Sequence, residues 1–153
     1  MVNDISEAES KVGHSNTIIV GDFNANPFEE MCINANCFHA IPSAKESKKV
    51  QRIVNSYNYK MLYNPMWNFF GDCHQTGGTY FKANTGIKTY FWNIFDQVLL
   101  APNMIDCFKP DSLEIVHSIN NQSLLNKRGI PDVNKYSDHL PIFFKIMEEN
   151  LNG

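Results

Sequence analysis

A chain of 153 residues has the length of one ordinary domain, so residues 1–153 are read as a single unit with one core. Its 43% hydrophobic and 12% aromatic residues supply that core, and 19% charged residues is too few for a disordered chain. Thirteen Lys and Arg against sixteen Asp and Glu leave a net charge of −3. That excludes a global positive field for nucleic acid, so a polyanionic substrate would need a local basic patch or a metal ion.

The segment Glu7–Lys11 reads as the tail of a helix that Gly13 caps. Thr17-Ile18-Ile19-Val20 is a β-branched run without alternation, which predicts a strand buried on both faces and ending at Gly21. Pro27 followed by Phe28-Glu29-Glu30-Met31 looks like a helix start, with proline at a tolerated position and acids in the first turn. Val50, Ile53, Val54 and Tyr57 fall at helical spacing and predict a second helix over Ser47–Tyr59. Asn64-Pro65 breaks the chain before an aromatic loop or short turn, Met66–Phe70. Gly77-Gly78 announces a strand at Thr79-Tyr80-Phe81, which forms a hairpin with the longer run Thr89–Leu100. Leu113–Val116 is a shorter strand, Asn120–Asn134 a polar loop, and Leu140–Ile146 the last strand. This order predicts an α+β fold or α/β sandwich.

No run of about 18 apolar residues is present. Met1–Ser10 is polar and acidic where a signal peptide would be basic and then apolar, so the expectation is a soluble, cytoplasmic chain with no membrane partner. Cys32, Cys37, Cys73 and Cys107 lack zinc-knuckle spacing and are expected to be buried free thiols.

Five chemistry-bearing groups sit at strands or their ends. Asp22 and Asn24 directly follow the strand at 17–20, Asp96 lies inside the apolar run Asn93–Leu100, and Asp138 with His139 precedes the last strand. A carboxylate in an apolar run costs several kcal/mol without a partner, and either a metal ion or a protonated histidine meets that need. Hard oxygen donors of this kind suit Mg²⁺ or Mn²⁺ better than zinc.

Gly21-Asp22-Phe23-Asn24-Ala25-Asn26-Pro27 resembles the GDFN-x-x-P motif of the endonuclease/exonuclease/phosphatase family. Phe95-Asp96-Gln97-Val98-Leu99 resembles its aspartate-bearing strand, and Ser137-Asp138-His139-Leu140-Pro141-Ile142 its closing SDH-x-P motif. The resemblance runs over about residues 15–147, and Asn64-Pro65-Met66-Trp67 and Gly78-Thr79-Tyr80 are similar to segments of a bacterial branch of the same family. It implies a four-layered α/β/β/α deoxyribonuclease-like fold, of which this chain is the C-terminal, sheet-and-helix half. It also implies metal-dependent hydrolysis of phosphodiesters, nucleic acid among them, with Mg²⁺ or Mn²⁺ as cofactor.

By the same resemblance Asp22 orients and helps deprotonate the attacking water, directly or through the metal, and Asn24 donates to a phosphate oxygen. Asp138 ligates the metal. His139 contacts the phosphate, and Asp96 hydrogen-bonds His139, fixing its orientation and favouring the imidazolium. These residues are expected in one cleft at the C-terminal side of the strands, with Asp96 and His139 about 2.6–3.2 Å apart.

The chain departs from the family in lacking the N-terminal asparagine, the metal-anchoring glutamate and a mid-chain histidine; His14 stands too near Asp22 to replace the last. Either the N-terminal half or a second copy is the implied partner, covering a sheet edge or apolar face left open. The competing expectation is an inactive, truncated or degenerate fragment acting in binding or assembly. His39, His74 and His117 carry no motif and are read as surface or satisfied core histidines. Trp67 and Trp92 are read as core packing rather than base-stacking platforms, and Lys48-Lys49 and Lys127-Arg128 as solvated faces.

Overall fold

The computed structural model describes residues 2–83 and 86–147. Helix α1 (Val2–Val12) ends as expected at Gly13, whose φ of 77° lets its N–H reach Glu9 O at 2.9 Å. Strand β1 (Ile18–Asp22) follows, then a one-turn helix α2 (Glu30–Ile33) a few residues beyond Pro27. After β2 (Ala40–Ile41), a second one-turn helix α3 (Ala44–Ser47) is capped by Ser43, whose side chain accepts from Glu46 N.

The helix expected over Ser47–Tyr59 is not formed. Strands β3 (Gln51–Val54) and β4 (Tyr57–Lys60) make a hairpin there, turning at Asn55-Ser56 with both φ values positive, 49° and 69°. That pair of signs is the type I′ turn that matches the twist of a two-residue hairpin. Ile53 and Tyr57, assigned to a buried helical stripe, are exposed. The apolar residues at helical spacing were β-branched or aromatic, which suits a strand equally.

Strand β5 (Leu62–Tyr63) precedes a 3-10 turn, Pro65–Phe69, in which Asn64 caps Met66 N. Strands β6 (Tyr80–Phe81) and β7 (Trp92–Asn93) pair antiparallel, as the hairpin reading required. The run Thr89–Leu100 is nevertheless not one strand, because β8 (Asp96–Leu100) belongs to a different sheet. Strand β9 (Phe108–Ile115) starts earlier than expected and pairs with the last strand. Two short strands, β10 (Ser118–Ile119) and β11 (Gln122–Ser123), form a hairpin inside the segment read as a loop, and β12 (Ile142–Ile146) closes the chain against β9.

Among the described residues the result is an α+β arrangement: one four-stranded sheet in the order β1-β8-β5-β2 and four two-stranded ladders. Strand β8 is its spine. Val98 and Leu100 face a main core with Met66, Ile94, Met104, Phe108, Ile115 and Leu140, while Leu99 faces a smaller one with Phe38 and Ala40. Ile18, opposite Leu100, packs on the first core, and Ile19, opposite Leu99, on the second.

Strand β1 therefore has cover on both faces only in its first half. As the edge of the sheet it has Val20, Gly21 and Asp22 exposed, which corrects the expectation of a strand buried throughout. All four cysteines are free; Cys32 and Cys107 are buried, whereas Cys37 is half-buried and Cys73 exposed, against the expectation for all four. Among the described residues no helix is long and apolar enough to cross a membrane.

Candidate functional site

The last pair of the β1–β8 ladder is Asp22 opposite Asp96. Phe23 N–H donates to Phe95 O at 2.8 Å just beyond it, so Asp22 and Asp96 form a pair of the non-hydrogen-bonded kind. Cα atoms in such pairs are about 4.5 Å apart and both side chains stand on one face of the sheet. Like charges placed so repel, and each carboxylate has a partner of its own. Asp22 accepts from Asn24 twice, through N–H at 2.8 Å and Nδ2 at 3.2 Å. Asp96 Oδ2 lies 2.7 Å from His139 Nδ1, the hydrogen bond expected from the sequence. Asp96 and His139 are about one-fifth exposed, at 22% and 23% of their side-chain surface.

Antiparallel pairing corrects one expectation. Asp22 ends β1, but Asp96 opens β8 rather than lying inside it, so the residues gather where the C-terminus of one strand meets the N-terminus of the next. Asp138 is exposed and adjoins His139 in the chain. Asn24 sits at φ 49°, a left-handed conformation that asparagine tolerates, and the Asp22–Asn24 contact is a turn closed by an aspartate side chain.

Buried amides fix this loop to the sheet. Asn26 receives Ile94 N–H on Oδ1 at 2.9 Å and donates from Nδ2 to Asn93 Oδ1 and Glu29 Oε1, each at 2.9 Å. Gln97, fully buried, donates to Ala25 O at 2.6 Å and accepts from Asn64 Nδ2 at 2.7 Å. A buried amide left unpaired costs about 1–3 kcal/mol, so these bonds hold residues 22–27 in register with β8. Burial pushes the Cys32 thiol beside Gln97 up, with the Gln97 contact opposing, which keeps it protonated.

The imidazole is placed by its neighbours as well. Leu140, 1% exposed, anchors the preceding residue to the main core, and its N–H donates to Thr79 O at 2.8 Å. Tyr80 bridges His139 through the backbone; its ring centroid is 4.7 Å from the imidazole and 5.3 Å from Phe95, on which it stacks. Thr79, Asn26, Gln97 and Asn64 lie within the sequence motifs, but the motifs assign them no role. The signal that marked them was a polar residue inside an apolar run, or behind a glycine pair.

No protein-family model, curated protein or solved structure matches the chain.

The remaining candidates are accounted for by packing. His39 hydrogen-bonds Lys60 O and Arg52, His74 hydrogen-bonds Asn68 O, and His117 hydrogen-bonds Thr76. Lys48 and Lys49 are ion-paired to Asp106 and Glu46. Trp67 packs edge-on against Phe28 and Phe70, and Trp92 against Phe81. Among the described residues no three His, Cys, Asp or Glu side chains are grouped so as to hold a metal ion. The carboxylates assigned to one are Asp22 and Asp138, so the fit to Mg²⁺ is partial: the donors are of the right hardness, and the ion's other positions would fall to water, substrate or further groups.

Proposed function

We propose that this chain carries part of the active site of a metal-dependent phosphoesterase of the endonuclease/exonuclease/phosphatase kind, acting on phosphodiesters, with nucleic acid as the first substrate class to test. The observation that carries the reading is the 2.7 Å bond between Asp96 and His139, with Asp22 directly opposite Asp96. Residues from three motifs, distant in sequence, meet at one end of a strand pair.

With Nδ1 engaged by Asp96, His139 offers Nε2 to a phosphate oxygen. Asn24 uses one amide hydrogen on Asp22 and has a second for another phosphate oxygen. Asp22, exposed at the strand end, orients water for in-line attack. Mg²⁺ or Mn²⁺, when bound, supplies charge neutralisation on the transferring group.

A second reading is favoured by the partial donor set: the chain binds a partner or assembles without turning over. Hydrolysis of DNA and of a generic phosphodiester by the 153-residue chain, with added Mg²⁺ or Mn²⁺, separates the two. The expected outcome is weak, metal-dependent hydrolysis that Asp22→Ala and His139→Ala each lower by about 10²-fold or more. Activity indifferent to both substitutions sinks the phosphoesterase reading, and no hydrolysis under any condition favours the binding reading.

A further inference from the structure

We propose that Thr79 is the positioning residue that fixes Asp96 and His139 relative to each other, an inference that rests on the phosphoesterase reading only for its catalytic consequence. Strand β8 has β1 along its whole length but meets β5 only at Leu100, so among the described residues its opposite side has no strand neighbour at the Asp96 end. In a non-hydrogen-bonded pair the Asp96 N–H points away from β1, toward that side. Without an acceptor there, a poorly hydrated amide costs about 1–3 kcal/mol.

Thr79 Oγ1 is the acceptor. It takes Asp96 N–H at 3.1 Å and Phe95 N–H at 3.2 Å, using the two lone pairs of one hydroxyl, and its own proton faces Asn93 O at 3.5 Å. The main chain of the same residue holds the other partner. Thr79 N–H donates to Asn93 O at 2.9 Å, and Thr79 O accepts Leu140 N–H, one residue past His139, at 2.8 Å. Thr79 is fully buried, and its bonds to the Phe95 and Asp96 amides are partly buried. The side chain of one residue thus holds the carboxylate's backbone while its carbonyl holds the imidazole's. Tyr80 extends the link by lying against the His139 ring.

A displacement of about 1 Å in such a pair costs on the order of 10²-fold in rate, which is the consequence expected if the hydroxyl is lost. Valine is nearly isosteric with threonine and lacks the acceptor; serine keeps the acceptor and lacks the methyl. The test is ¹H NMR of the 153-residue chain, reading the downfield His139 Nδ1–H signal, assigned by its absence in Asp96→Asn, together with amide exchange at Phe95 and Asp96.

Wild type and Thr79→Ser are expected to show the signal and protected amides at both positions. Thr79→Val is expected to lose the signal while the methyl resonances of Ile94, Val98 and Leu140 stay in place. A Thr79→Val spectrum that retains the signal at wild-type width overturns the proposal, as does its loss in Thr79→Ser. Should Thr79→Val fail to fold, the wild-type and serine amides decide: solvent-rate exchange at Phe95 and Asp96 overturns it. None of these readouts needs turnover. A chain that gives this pattern and hydrolyses nothing keeps the role of Thr79 and loses the phosphoesterase reading, and one that hydrolyses with the pattern absent loses Thr79 alone.

Discussion

His39 shows how a single buried side chain commits the protein to a pH range. Its ring is 1% exposed, with Nδ1 2.8 Å from Lys60 O and Nε2 receiving Arg52 Nε–H at 2.7 Å. A carbonyl can only accept and a guanidinium can only donate, so the ring is neutral with its proton on Nδ1. Burial pushes its pKa below the ordinary histidine value; the Lys60 carbonyl opposes this and the Arg52 charge adds to it. A group depressed in the folded state contributes stability that is present above its unfolded pKa, about 6.5, and is lost as pH falls through the folded value. His117, also lowered chiefly by burial, adds a slope of the same sign. Urea midpoints measured from about pH 8 to about pH 5 should therefore fall with acidification, and less steeply in His39→Gln, which keeps a donor and an acceptor but does not titrate. An identical slope in wild type and variant would show that His39 is not one of the groups responsible.

At the scale of elements, the site depends on how closely the segment before β6 approaches residues 92–94. A Cβ on Gly78 would lie 2.4 Å from Asn93 O, a backbone atom that cannot move aside, whereas one on Gly77 would meet the Trp92 side chain at 3.1 Å. Gly78→Ala is expected to cost about 1–3 kcal/mol in urea unfolding, as overpacking does, with Gly77→Ala costing less. The reverse order would mean that the Gly78–Asn93 approach is not what holds β6 in place. This closeness explains what the sequence could and could not say. The short motifs containing Asp22, Asp96 and His139 were legible because each is local. Their meeting was an inference, since the register that sets Asp22 against Asp96 belongs to two strands far apart in the chain. The β3–β4 hairpin differs from the expected helix because Val50, Ile53, Val54 and Tyr57 satisfy helical spacing as readily as they suit strands; the deciding features are Asn55-Ser56 in left-handed conformations and the exposure of Ile53 and Tyr57. The place of Thr79 behind a glycine pair marked it, but its role was not legible, because it is an acceptor only where β5 stops short of Asp96.

At the scale of the whole molecule, the open edge of the main sheet is where contact with another chain is expected. Among the described residues strand β1 pairs on one side only, and Val20 is 52% exposed on its second half. Beside it, Ile5, Ala8 and Val12 of α1 line a groove with Ile18 and Val20. An edge strand with apolar side chains and unpaired backbone groups is a template for another strand, and proteins blunt such edges with charge, lysine above all. The segment Ile18–Val20 has no charged residue of its own; Asp22, at the end of the strand, is the first. The chain should therefore associate as its concentration rises, with sedimentation velocity showing a shift to larger species. Val20→Lys places a charge on the open edge at an exposed position, where substitutions usually change stability by less than about 0.5 kcal/mol. It is expected to restore the smaller species at the same melting temperature. Association unchanged by Val20→Lys, in a variant that melts with wild type, would assign the contact to another exposed apolar surface such as Ile53 and Tyr57 on the β3–β4 hairpin.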